Sequence, residues 1–287
     1  MPLCFFVSDL HGRQARYRAL FDVVARERPA ALFLGGDLLP PAFASRSAAG
    51  ARGRDFITGV LLAELRRLRK TLGAAYPRVF AILGNDDSRA QEAAMLAGQS
   101  DGLWQYVHQR HAAFEDYDVY GYACVPPTPF LLKDWERYDV SRYVDPGCVS
   151  PEEGHRSVPA DAHEIRHATI REDLQRLVGQ RDLSRAIVLF HAPPYRTHLD
   201  RAALDGRMVD HVPLDVHVGS IAIRQFIEQR QPLLTLHGHV HESARLTGAW
   251  SERLGRTWCL SAAHDGPELA LVRFDPDDPG AAARTFL

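Results

Sequence analysis

Five short apolar runs in this chain each end in residues suited to binding metal ions. Leu3 to Val7 leads into Asp9-Leu-His11, Ala31 to Leu34 into Gly36-Asp37, and Val79 to Leu83 into Gly84-Asn85-Asp86-Asp87. Ala186 to Phe190 leads into His191, and Pro232 to Leu236 runs up to Gly238-His239-Val240-His241. Continuous apolar runs of this kind read as strands buried on both faces. A fold that serves all five must bring their ends to one edge of a sheet, where carboxylate, carboxamide and imidazole groups converge. Such convergence has no use in packing and an obvious one in holding cations.

The pieces between the runs fit that arrangement. Gln14–Glu27 reads as a helix with apolar Ala15, Leu20, Val23 and Val24, and a second helix is expected from about Asp55 to Leu72 after a Pro/Ala/Ser/Arg-rich loop from Pro40 to about Arg54. Strand–helix–strand alternation implies parallel strands with helices on the sheet faces. Further on, Ser88 to about His111 is expected to be helical in two pieces, broken near Gly98–Gly102, and Tyr117–Val125 to be a strand. The stretch from about 130 to 159 has no clear period and reads as a lip or lid beside the site, within a single domain spanning 1–287. Helices around Ala162–Val178 and Ser220–Arg230 follow, the second capped by Ser220, with late strands near Thr257–Ser261 and Glu268–Val272.

Composition excludes more than it selects. The 287 residues are 46% hydrophobic and 24% charged, as in ordinary globular chains. A formal net charge of −2 gives no overall attraction for nucleic acid or anionic membrane, so neither partner is expected. Cys4, Cys124, Cys148 and Cys259 form no CxxC pair, and no leader segment or membrane-spanning run is read. A cytoplasmic protein with reduced thiols is the expectation.

Taken singly, an Asp after a strand is a common turn former and Gly-Asn a common turn pair. Together they offer two divalent ions ligands from several directions. Strand alternation puts Asp9 and His11, or His239 and His241, on one side. A carboxylate shared between the ions can hold them roughly 3.5–4 Å apart.

The order Asp-x-His, Gly-Asp, Gly-Asn-x-Asp, His, Gly-His-x-His resembles the calcineurin-like metallophosphoesterases, from Asp9 to His241. The resemblance implies a four-layer α/β/β/α sandwich with a dinuclear metal site at the strand ends. It implies that one ion takes Asp9, His11 and His241, that the other takes Asn85, His191 and His239, and that Asp37 bridges them. His237 matches no ligand position. The ions would be divalent or mixed-valence metals such as Mn²⁺, Fe²⁺/Fe³⁺, Zn²⁺ or Mg²⁺, and the ligand set accepts several of them. Two dications facing two carboxylates and a hydroxide leave a net positive charge of about one for a phosphate, which the metal hydroxide attacks at phosphorus.

One position departs from the family pattern. Where many members have a His that protonates the leaving oxygen, this chain has Asp86. A carboxyl near its reference pKa of about 3.9 is a poor acid at neutral pH. The expected activity is therefore a metal-dependent phosphoesterase favouring a phosphodiester or nucleotide-like small molecule. The alternatives are a phosphomonoesterase on metabolites or phosphoproteins and a weakly active or inactive scaffold of the same fold. Asp86 and Arg13 are the candidate catalytic residues, Arg13 for its reach toward a phosphate oxygen. In the irregular stretch, Trp135 could stack on a base with Lys133 or Arg137 near its phosphate, as could Phe130, Tyr138 and Tyr143; the alternative is that these aromatics pack the stretch onto the body. His217 and Ser220 could face the pocket or serve as helix-start residues.

Overall fold

The computed structural model of the protein describes residues 2–41 and 56–287. Two six-stranded sheets lie face to face. The first has the order β14-β13-β1-β2-β3-β4, with β1 at Cys4–Val7, β2 at Ala31–Gly35, β3 at Arg78–Ile82, β4 at Gln105–Tyr106, β13 at Ala270–Asp275 and β14 at Asp278–Phe286. The second has the order β11-β12-β10-β7-β6-β5, with β5 at Arg110–Phe114, β6 at Tyr117–Tyr122, β7 at Ala186–Phe190, β10 at Leu234–His237, β11 at Ser251–Leu254 and β12 at Thr257–Ser261. A small hairpin, β8 at Met208–Val209 with β9 at Val212–Pro213, stands apart.

β1 to β4 run parallel, and so do β12, β10, β7 and β6. The carboxyl ends of each set therefore share one edge, the usual place for a site in α/β sheets. β1, β2, β7 and β10 are buried along their whole length, as their unbroken apolar sequences require. Between the sheets Phe33 stacks on Phe80 with centroids 5.2 Å apart, and both meet the ring of Phe114 from the opposite sheet edge-on. Helices Gln14–Glu27 and Leu62–Leu72 pack together on the first sheet, and Ile170–Val178 and Ile221–Arg230 on the second, completing four α/β/β/α layers. No helix among the described residues is long and apolar enough to cross a membrane.

Several local expectations change. Of the segment read as two helical pieces from Ser88, only Glu92–Ser100 is an α-helix, preceded by a 3₁₀ turn at Arg89–Gln91. Gly102, at φ 69°, turns the chain, and the rest pairs as β4 and β5 with β3 and β6. Non-local pairing overrides a weak local pattern there. The helix expected over Ala162–Val178 is two, Ala162–His167 and Ile170–Val178, because Thr169 breaks the first and caps the second through Glu172 N. The helix before Leu72 starts with a π turn at Ile57–Leu61; Asp55 and most of the Pro40–Arg54 loop lie outside the described residues. The last strands shift to Ala270–Asp275 and gain a partner, Asp278–Phe286, whose largely exposed sequence has no apolar run to betray it.

Candidate metal centre

The loops after β1 and β2 are zipped together beyond the sheet. Asp9 N donates to Gly36 O at 3.0 Å, His11 N to Asp37 O at 2.8 Å, and Gly12 N to Leu38 O at 2.9 Å. The conformation is a strained one: Asp9, His11, Asp37 and His239 have φ of 57°, 47°, 51° and 74°. Non-glycine residues rarely adopt the left-handed region, and such strain gathers at functional sites. Gly84 has a different task. A Cβ there would stand 2.3 Å from Asp37 Oδ1 and 2.7 Å from His191 Cε1, so only glycine lets the β3 loop close on the β2 loop.

Asp9, His11, Asp37 and His241 offer ligand atoms that all lie within 4.8 Å of one another. His241 Nε2 is 3.3 Å from Asp9 Oδ1 and 3.2 Å from His11 Nε2. On the other side of Asp37, its Oδ2 is 3.3 Å from His191 Nε2, which is also 3.0 Å from Asn85 Oδ1. The His239 ring lies beside that of His191, centroids 5.2 Å apart. Asp37 thus touches both groups, and the seven side chains expected to converge do so.

The chemistry of these contacts fits a pair of ions. His191 Nδ1 lies 2.8 Å from the Gly35 carbonyl and can only donate to it. A neutral His191 then turns the lone pair of Nε2 toward the oxygens of Asn85 and Asp37, three acceptors facing one another. His11 and His241 likewise meet Nε2 to Nε2. Acceptors in such opposition need a proton or a cation between them, and a ligating imidazole commonly donates its other N–H to a carbonyl. Protons partly fill that need. Burial disfavours imidazolium at both rings, but Asp37 outweighs it at His191, raising it to about 10, and Asp9 at His241, raising it to about 9. Burial likewise opposes charge on Asp9, yet the surrounding histidines hold its carboxyl low.

Asp86 sits on the open side with partly exposed His11, His239 and His241. Its Oδ2 is 3.6 Å from His11 Nδ1, and its backbone N donates to Asp37 Oδ1 at 2.9 Å. Burial, with Asp37 alongside, pushes its carboxyl up to about 7. Cations on Asp37 would pull it back down. Arg13 is exposed at the same edge, with a long contact of 3.5 Å from Nη1 to Gly266 O.

The three residues read as substrate contacts are placed in the packing of their segment. Lys133 is fully buried, its Nζ 2.5 Å from Glu136 Oε2 and donating to Thr128 O at 2.9 Å. Trp135 is fully buried and donates from Nε1 to Asp87 O at 2.7 Å, and Arg137 pairs with Asp173 and Glu164. With their polar atoms engaged and their surfaces covered, Lys133 and Trp135 have nothing left to offer a ligand, which corrects the expectation for them. Instead Trp135 fastens the 130–159 segment to the β3 loop, where Asp134 Oδ2 also accepts from Arg89 N at 2.8 Å, while Lys133 ties the segment together through Thr128 and Glu136. Lys133→Met is expected to lower unfolding free energy by about 3–5 kcal/mol, because it leaves Glu136 buried without its cation. Urea denaturation measures this; a loss under about 1 kcal/mol would mean the pair is dispensable.

Two supporting residues escaped the sequence reading. Asp87, fully buried, accepts from Gly84 N at 2.9 Å, Leu38 N at 3.1 Å and Leu39 N at 2.8 Å, joining the loops that carry Asn85 and Asp37. Its place in the Gly-Asn-Asp-Asp run was the available signal. Ser8 Oγ donates to Asp9 Oδ2 at 2.5 Å, and nothing in the sequence marked it. His237 is a core residue, held by Ala192 O and Thr235 Oγ1 and stacked on Phe190. Ser220 caps its helix through Ile223 N, and His217 meets buried Asp200 at 2.8 Å.

The family model of the calcineurin-like phosphoesterases matches residues 4–243. A crystal structure of the Thermus thermophilus protein TT1561 superposes with a TM-score of 0.57 at 17% identity, covering 99% of this chain and 98% of that one. A dimetal phosphatase from Danio rerio does so with a TM-score of 0.52 at 13% identity, covering 95% and 96%. At such identities the likeness is one of fold. No curated protein matches the chain by sequence.

Proposed function

This chain belongs to the calcineurin-like phosphoesterase family, and from that membership we propose that it hydrolyses phosphodiester or nucleotide-like small molecules with two divalent ions. The ions would be held as the resemblance implies: Asp9, His11 and His241 on one, Asn85, His191 and His239 on the other, Asp37 between. When bound, they make a coordinated water acidic enough to attack phosphorus near neutral pH and neutralise charge on the phosphoryl oxygens.

The observation that favours a diester is the carboxyl of Asp86 on the open side, 3.6 Å from His11 Nδ1. A carboxylate there repels the second negative charge of a monoester and tolerates the single charge of a diester. It also leaves leaving-group protonation weak, so esters of acidic alcohols such as phenols should react best. Arg13 would orient the phosphoryl oxygens by donating to them, as would the second N–H of the Asn85 amide, whose first is donated to Asp86 Oδ1 at 3.1 Å. Supplied with Mn²⁺, the protein should hydrolyse a bis-ester of a chromogenic phenol faster than the mono-ester. The reverse order rejects the diester reading, and two bound ions per chain without turnover on either ester supports a binding scaffold.

Two further outcomes are expected. Asp86→His should raise turnover of alkyl esters on the order of 10²-fold by restoring an acid beside the leaving oxygen; an unchanged rate would remove residue 86 from that place. Metal loading should also be pH-dependent. His191 and His241, raised to about 10 and about 9, carry protons at pH 7 that ions must displace. Affinity should therefore rise from pH 6 toward 9, with protons released on binding. Calorimetry in buffers of different ionisation enthalpy measures the release, and binding heats that do not vary with buffer would contradict it.

A further inference from the structure

We propose that Arg16 is a positioning residue for Asp9, fixing the left-handed backbone from which Asp9 reaches the ion it shares with His11 and His241. The inference rests on the ligand assignment just given.

Arg16 lies in the first turn of helix Gln14–Glu27, yet its side chain is turned inward and buried. The guanidinium donates from Nη1 to Asp9 O at 2.5 Å, from Nη2 to Gly266 O at 2.5 Å, and from Nε to Pro267 O at 3.4 Å. All three partners are neutral carbonyls. A buried cation beside a site for two dications works against metal binding if only its charge counts. What the group supplies is direction, since its planar fork holds several acceptors in fixed positions.

Asp9 needs that direction. At φ 57° its backbone sits where side-chain-bearing residues rarely stay unless held from several sides. Its N–H is held by Gly36 O, its carbonyl by Arg16, and its carboxylate by Ser8 Oγ and by His239 N at 3.1 Å. The same guanidinium reaches Gly266 and Pro267, in the loop between β12 and β13. That loop is gripped again by Arg284, which donates to Ala263 O. The connection between the two sheets is thus stitched to the first ligand.

Charge and geometry predict opposite results when the guanidinium is removed. Arg16→Met keeps the length and loses the fork; Arg16→Lys keeps the charge and loses most of the bonds. Mn²⁺ titration read by electron paramagnetic resonance, with bound metal counted per chain, follows the two ions. Wild-type protein should show an exchange-coupled pair. Arg16→Met should bind one ion about tenfold or more weakly while the other changes less than about twofold. Its half-loaded spectrum should match that of His241→Ala and differ from that of His191→Ala, with Arg16→Lys between wild type and Met. Unchanged or tighter binding of both ions overturns the proposal, and so does equal weakening of both. Thermal midpoints establish that each variant is folded. If Arg16→Met does not fold, Arg16→Lys decides: selective loss of one ion supports the role, and wild-type binding refutes it. A wild-type protein that forms no ion pair would reject the ligand assignment itself, which keeps the two failures apart.

Discussion

Asp37→Ala should abolish turnover and pair formation together, with kcat/KM falling by at least about 10³-fold, equivalent to about 4 kcal/mol of transition-state stabilisation. The Asp37 carboxylate faces both groups of side chains, within 4.8 Å of ligand atoms on Asp9, His11 and His241 and 3.3 Å from His191 Nε2. Without it two dications would face each other with no shared anion between them, and at roughly 4 Å that repulsion is large even in a polar site. It also accepts the backbone N–H of Asp86, so the Asn85 loop loses a tether in the same step. Asp37→Asn separates the effects, since the amide keeps an acceptor and drops the charge. Elemental analysis after desalting, with a chromogenic diester assay, reads both consequences. Survival of activity in Asp37→Ala would show that the ions do not share this residue.

A loss of stability as large as that at Lys133 is expected at Asp87, which lies outside the two groups of converging side chains. Replacing it by Ala strands three buried amides at Gly84, Leu38 and Leu39. Unsatisfied buried donors cost about 1–3 kcal/mol each, and with partial relaxation a total of about 3–5 kcal/mol is expected. Asp87→Asn should be milder, because one oxygen still accepts while the new amide faces donors. Urea denaturation with added chelator isolates the structural effect from metal linkage. A loss below about 1 kcal/mol in Asp87→Ala would mean that the loops carrying Asn85 and Asp37 hold their places unaided. Metal affinity should fall as well, since both loops move when their common anchor goes.

What could be read from the chain and what could not divide along physical lines. Buried parallel strands announce themselves as apolar runs, so β1, β2, β3, β7 and β10 were legible with little error in bounds, and so was the meeting of the acids, histidines and asparagine beyond their ends. Edge strands carry no such mark. β5 and β14 are mostly exposed, and their pairing is decided by neighbours far along the chain. The segment at 130–159 failed for a related reason. Lys133 and Arg137 look like surface cations in sequence, and only tertiary partners such as Glu136 and Asp173 reveal that they are interior. Asp87 sat inside a motif that was read for its chemistry, and its backbone acceptors could not be seen without the β2 loop in place. The base of the 130–159 segment is anchored by Trp135 and Asp134.

The position of β1 has a consequence for how the protein comes into being. The strand that leads into Asp9 and His11 lies between β2, complete by residue 35, and β13, which begins at Ala270. During synthesis one side of β1 therefore waits, unpaired, until β13 emerges far along the chain. Contacts so distant in sequence make folding slow and leave hydrogen-bonding edges open to wrong partners. The strap from Gly266 to Arg16 belongs to the same late stage, and His241 itself arrives late. Metal loading should accordingly come late in folding, once His241 and β13 are both in place, and chaperones that shield the unpaired edge of β1 would raise the yield of loaded protein.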